Sequence, residues 1–148
     1  MERSLVVVRL TPAERALFAR LTAAYQRHSL GVLRRLEAAG YTDADLLRAA
    51  LLHDVGKAEA GIGLHHRVLA VLLPRFAPTL WGRLVSEEAA TGWRRPFYVQ
   101  RHHAALGARL AQAAGASART VALIARHHDP AAADDEELRA LRRADGSE

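Results

Sequence analysis

His53 and Asp54 stand side by side at the end of AALLHDVGK, the most apolar helical stretch of the chain. An imidazole and a carboxylate buried together are costly unless a strong partner meets them, and a divalent cation is such a partner. Lys57 follows three residues after Asp54 and four after His53, a spacing that returns its ammonium to the same side if the turn is helix-like. It is the sole lysine in a chain whose other cationic side chains are all arginine. An ordinary surface pair between Asp54 and Lys57 is the competing reading, and the apolar residues before them argue against it. The remaining candidates are His28, flanked by Leu30 and Leu33; His103, which opens HAALGARL; His127 and His128, which end ALIARHH; and Asp145, which closes LRALRRAD. Each lies on its own helical pattern, at or near an apolar face. A single buried histidine is usually a satisfied core residue, but five such helices together call for a metal.

The elements that must position these groups are helices almost throughout. Ser4 to Leu10 is a short apolar run with the pattern of a strand or a docking arm. Thr11-Pro12-Ala13-Glu14 reads as a capped helix start, with Pro12 at the first helical position and Glu14 completing a capping box. Helical spacing then runs through Leu17, Phe18, Leu21, Ala24 and Tyr25, and continues or restarts through Leu30, Leu33 and Leu36 to stop at Gly40. Thr42 to Asp45 opens the next helix, which Gly56 is placed to terminate. A helix from His65 to Leu73 should stop before Pro74. Further helices are expected over 78–90, 97–114, 117–127 and 134–144, with a break over 92–96 and with Pro130 separating the last two. Gly107, one turn after His103, leaves room for a close approach by another helix or a ligand. No β-alternation, repeat or long linker appears. The pattern is that of an all-α, single-domain bundle of about six to eight helices, with residues 1–10 as an arm and 26–145 as the core.

In this order, H…HD…H…HH…D, the residues resemble the HD-domain metal-dependent phosphohydrolases. HDVGK fits the family's HD-x-G-K hallmark, supported by HxxxGA at His103 to Ala108 and IxxHH at Ile124 to His128. The resemblance implies a helical domain around a metal centre with His28, His53, Asp54, His103, His127, His128 and Asp145 as ligands. Asp54 would be the bridging carboxylate, and the consecutive histidines look like the binuclear branch. The stretch after them reads DPAAADDEEL, without the GYP string of the relatives that cleave cyclic di-GMP. Ala24 stands where some trinuclear members carry a carboxylate. The chain is therefore similar to small stand-alone HD or HDIG-type domains. Two divalent ions held by neutral imidazoles and only two carboxylates leave a positive centre, which attracts phosphate and acidifies a bound water. A nitrogen-rich ligand set favours Fe or Mn, with Co, Ni or Zn also suited, over Mg. Asp54 and Lys57 are the catalytic candidates. Lys57 is the first donor for phosphate oxygens, with Arg27 and Arg101 as helpers.

Other conspicuous residues have plainer readings. His65 and His66 either meet a substrate phosphate or are solvated groups at a helix start. His102 should point about 100° away from His103. Asp129 orients His128 or, more simply, caps the turn before Pro130. Trp81, Trp93, Phe97 and Tyr98 read as core or pocket wall, and Asp134 to Glu137 as the acidic first turn of the last helix. The segment 58–100, which must shape any pocket, carries no pattern that fixes its packing.

Composition sets the outer bounds. The 148 residues are 50% hydrophobic and 25% charged, which suits one globular domain and not a disordered chain. The formal charge is +5, but aromatics make up only 5% and do not interleave with the basic residues, which argues against a nucleic-acid platform. The absence of cysteine excludes disulfides, thiolate metal sites and cysteine nucleophiles. No long apolar run suggests a membrane span or a secretory signal, so a cytoplasmic location is expected. The expected partner is a small phosphorylated substrate, such as a nucleotide, with a homo-oligomer also compatible. The leading function is hydrolysis of a phosphate ester. The alternatives are a mixed-valent diiron oxygenase and a nucleotide-sensing module without turnover.

Overall fold

The computed structural model describes residues 2–58, 60–130 and 134–146. Among them nine α-helices occur, joined by short turns and 3-10 segments, with no strand: α1 (Glu2–Arg9), α2 (Pro12–Ala19), α3 (Ala23–Ala38), α4 (Ala44–Leu52), α5 (Leu64–Phe76), α6 (Pro78–Leu84), α7 (Arg95–Ala113), α8 (Ala118–Arg126) and α9 (Glu136–Asp145). The all-α class is as read from the pattern. The count exceeds that expectation because residues 2–9 are helical and not a strand, and the 12–40 pattern restarts as a second helix. Arg20 and Leu21 bond back onto Leu17 and Phe18, and Thr22 then caps a new start. No helix among the described residues is long and apolar enough to cross a membrane.

The helices begin where the sequence offers caps. Thr11 and Glu14 form the reciprocal capping box, at 2.8 and 3.3 Å. Asp43 Oδ1 accepts from the backbone of Asp45 and Leu46, both at 2.9 Å. Ser117 caps α8 and Asp135 caps α9. Two of these starts are also tied sideways. Asp45 Oδ1, in the first turn of α4, accepts from Ser117 Oγ at 2.7 Å and from Thr120 Oγ1 at 3.1 Å. Arg119, in the first turn of α8, forks onto Asp135 at 2.8 and 2.9 Å. The N-terminal ends of α4, α8 and α9 are therefore fastened to one another. The three helices have nearly equal lengths of 9, 9 and 10 residues, so their C-terminal ends also arrive together.

α4 lies at the centre of the core. Leu46, Leu47, Ala49, Ala50, Leu51 and Leu52 are all buried, against Leu33 and Leu36 of α3, Leu123 and Ile124 of α8 and Leu138 and Leu141 of α9. α5 is the opposite case: none of its residues is buried, and it continues through Pro74 to Phe76. Pro74 sits in the last turn, where one lost backbone bond is cheap in contact with water, and Ala77 N still closes onto Leu73 O at 2.8 Å. Trp93, expected in the core or a pocket wall, is 75% exposed on the 3-10 turn before α7. Phe97 is buried, and Tyr98 donates to Glu87 at 3.1 Å.

α4 does not run to Gly56. It ends at Leu52, His53 is its C-cap, and Val55–Lys57 form a 3-10 turn packed on α7. A Cβ at Gly56 would overlap the His103 carbonyl and come within 2.8 Å of Gly107 N, so glycine is required here for space and not as a helix stop. At Gly107 the nearest neighbour of an added Cβ would be Gly56 N, at 3.2 Å. Gly56→Ala should therefore cost about 3 kcal/mol or more and Gly107→Ala clearly less, as urea denaturation of the two variants will show.

Candidate metal centre

The fold brings together the seven residues that the sequence singled out. His53 caps the end of α4 and Asp54 follows it; His127 caps the end of α8 and His128 follows; Asp145 is the last residue of α9; His28 and His103 lie within α3 and α7. Asp145 is held at its end of the bundle by Arg35 of α3, which donates to the Ala144 carbonyl at 2.7 Å. Its Oδ1 then lies 2.8 Å from His28 Nε2 and 3.2 Å from His53 Nε2.

Three of the rings share one local device. His53, His103 and His127 each direct Nδ1 to the backbone carbonyl three residues earlier: Ala50 at 2.9 Å, Gln100 at 3.0 Å and Ile124 at 2.7 Å. A carbonyl only accepts, so each Nδ1 carries a proton, and a ring that is neutral presents Nε2 as a bare lone pair. Those lone pairs face other imidazole nitrogens and carboxylates. His103 Nε2 lies 3.2 Å from His127 Nε2, two acceptors pointed at each other. His128 Nε2 stands 3.1 Å from His103 Nε2. His53 Nε2 is buried with no hydrogen bond of acceptable geometry and faces the carboxylates of Asp145 and, at 3.7 Å, Asp54. Lone pairs in contact repel, and a cation among them turns the repulsion into coordination.

Two donor groups result, His28–His53–Asp145 and His103–His127–His128, each with its ligand atoms within 4.8 Å of one another. Asp54 lies between them. Its Oδ2 faces His53, and its Oδ1 lies 3.6 Å from His103 Nε2. Lys57 Nζ is 2.8 Å from the same Oδ1. The donor set therefore fits a divalent metal.

Burial and charge agree with this. Burial, helped by the Lys57 charge, drives the His103 pKa down from its ordinary 6.5 to about 3. Burial among His53, His128 and His103 takes His127 down to about 2. Burial opposes ionisation of Asp54, but His53 and Lys57 outweigh it and hold the carboxyl below its ordinary range. Burial also works against charging His53, and there Asp54 and Asp145 prevail and raise its pKa.

The donors open onto a cleft of about 310 Å³, lined by Ala24, Tyr25, His28, Asp54, Lys57, Arg67, Val71 and Gln100. Arg27 and Arg101 are exposed and lie outside this lining, because the helix positions beside His28 and before His102 turn away from it. His65 and His66 also lie outside it. His66 Nδ1 accepts from Gly63 N at 3.0 Å, and its ring rests edge-on against Phe97, so it serves the start of α5. His102 points away, donating from Nε2 to Val85 O at 3.0 Å. Asp129 pairs with Arg126 at 3.2 Å in the turn. Arg67, Tyr25 and Gln100 were not singled out in the sequence. Their place depends on how α5 packs beside α3 and α7, and no spacing rule encodes that packing.

The pKa shifts set a stability profile for the metal-stripped protein. His103 and His127 bind protons more weakly folded than unfolded, so their contribution is complete at neutral pH and is lost as pH falls from 6.5 toward about 3 and 2. The His53 shift has the opposite sign, but its contribution is already complete below 6.5 and leaves the slope there unchanged. Urea denaturation in a chelator should show stability falling between about pH 6.5 and pH 5 by roughly 1.4 kcal/mol per unit for each of the two histidines. His103→Gln should flatten the slope.

A family model described as the HD domain matches residues 25–148. No curated protein and no solved structure gives a significant match to the chain. The match spans every donor described above, from His28 to Asp145. Sequence order, helical architecture and the convergence of imidazoles and carboxylates thus lead to one assignment: the chain belongs to the HD-domain family, whose members are in general metal-dependent phosphohydrolases.

Proposed function

We propose that the protein hydrolyses a small phosphate ester at a binuclear metal centre. The observation that carries this reading is the position of Asp54, with one carboxylate oxygen toward each donor group. His28, His53 and Asp145 would hold one ion, His103, His127 and His128 the other, and Asp54 would bridge them. Fe or Mn suits five imidazoles and two carboxylates best, Co, Ni and Zn are compatible, and Mg is disfavoured. Bound there, divalent ions supply Lewis acidity and a water acidic enough to ionise near neutral pH.

The chain's own residues do the rest. The Nδ1–carbonyl bonds of His53, His103 and His127 fix which nitrogen faces the centre and keep the rings from turning. Burial keeps His103 and His127 unprotonated at neutral pH, as ligands must be. Lys57 fixes the Asp54 carboxylate through Oδ1 and, on the cleft lining, offers its remaining N–H groups to a phosphate oxygen. His28 belongs to both the donor group and the cleft, so a bound phosphate meets the centre at that point. The complete donor set speaks against a sensor that has lost its chemistry.

Elemental analysis of protein purified without added metal, paired with a phosphate-release screen over nucleotides and phosphomonoesters, tests the reading. About two transition-metal equivalents per chain and release from at least one ester are expected. Asp54→Ala should abolish both metal loading and turnover while the helical circular dichroism is kept. Hydrolysis by that variant at the parent rate would overturn the assignment, and an iron pair with no turnover on any ester would redirect it to oxygen chemistry.

A further inference from the structure

The cleft beside the metal donors carries two cations in unequal states. Lys57 is ion-paired to Asp54 at 2.8 Å, so its charge is already engaged. Arg67 has no carboxylate within ion-pair distance among the described residues. Its guanidinium lies over the Tyr25 ring, 5.0 Å from the centroid, and Lys57 Nζ lies 5.5 Å from the same centroid. Two positive groups that share one ring repel each other, and an anion bound beside both relieves the repulsion. The rest of the lining does not neutralise Arg67. Ala24 and Val71 are apolar, Gln100 and Tyr25 are neutral, and the carboxylate of Asp54 is held by Lys57 and turned to the donors. Gln100 Oε1 and Tyr25 Oη are buried without hydrogen-bond partners. Neither atom carries charge, so neither offsets the guanidinium.

We propose that Arg67 binds a second anionic group of the substrate, placing the substrate among compounds with adjacent phosphoryl groups, such as diphosphates, and not simple monoesters. The inference rests on the reading of the cleft as a phosphate site. The phosphate to be cleaved lies at the metal donors and Lys57, and its neighbour lies against Arg67 on the α5 side of the cleft. A guanidinium suits this task because its planar fork takes two oxygens of one phosphoryl group at once, where an ammonium offers a point charge. The volume of about 310 Å³ holds a diphosphate and leaves the remainder of a larger molecule to project through the mouth. Arg67 is here a specificity residue, set apart from the metal ligands and exposed enough to be replaced without unfolding the chain.

Isothermal titration of the metal-loaded protein with methylenediphosphonate and with inorganic phosphate tests this without relying on turnover. The parent should bind the diphosphonate about tenfold or more tighter than phosphate, the scale of one charge-assisted contact. Arg67→Gln should lose that preference while its phosphate affinity and metal content stay within about twofold, and Arg67→Lys should keep part of it. The assignment is overturned if Arg67→Gln keeps the preference, weakens both ligands equally or loses metal, or if the parent binds neither ligand or shows no preference. Preference without turnover on any ester would sink the hydrolase reading and leave Arg67 in place. Turnover without preference would do the reverse.

Discussion

Three short helices deliver five of the seven donors at their C-terminal ends. α4, α8 and α9 are fastened to one another at their N-terminal ends, through Asp45 with Ser117 and Thr120 and through Arg119 with Asp135. Similar lengths then deliver His53, His127 and Asp145 to the same level. Each of these residues stands at a helix C-terminus, where the backbone carbonyls concentrate partial negative charge. Imidazole lone pairs and two carboxylates are added to that field. Everything that converges there asks for positive charge, and Lys57 answers only part of the demand. The apolar core around α4 supplies the stability that lets the chain hold so many acceptors together.

The tautomer lock shows how local geometry becomes chemistry. A side chain that bonds to the carbonyl three residues back spends one nitrogen on its own helix and frees the other to point outward. Repeated on α4, α7 and α8, the device orients three rings from three helices without any ring needing support from another. His28 and His128 lack this particular lock. They complete the two groups from the cleft side and the exposed side, where a ligand set must stay open if a substrate is to reach it.

Much of this was legible in the residues. The apolar run before His53 and Asp54, the capped helix starts and the order of the remaining histidines place all seven donors on helices that the structure draws together. The i, i+3 step from Asp54 to Lys57 was legible as a pair. The apolar residues before it also spoke against a surface pair, and the two side chains are largely buried. Gly107 was readable as a point of close approach, but its partner Gly56 looked like a helix stop, because a lone glycine does not reveal whether it serves backbone angle or space. The cleft was the least legible part. α5 buries no residue, so its sequence obeys no core pattern, and Arg67 looks like any other arginine in a chain that uses arginine for nearly every positive charge. Arg27 and Arg101 were reasonable neighbours in sequence, but on a helix adjacent residues face different ways.

The contact between Gly56 and Gly107 has a consequence for how such a protein can diversify. Because main chain meets main chain there, the span between the HD turn and the helix carrying His103 is set by atomic radii common to every amino acid. Drift in side chains elsewhere cannot stretch it. The hairpin of α5 and α6, by contrast, rests on the bundle with little of itself inside and is free to exchange residues. On the proposed reading, reactivity and selectivity are thereby lodged in separate parts of the molecule, so that a new substrate would be acquired on the outer wall while the donor framework keeps its dimensions.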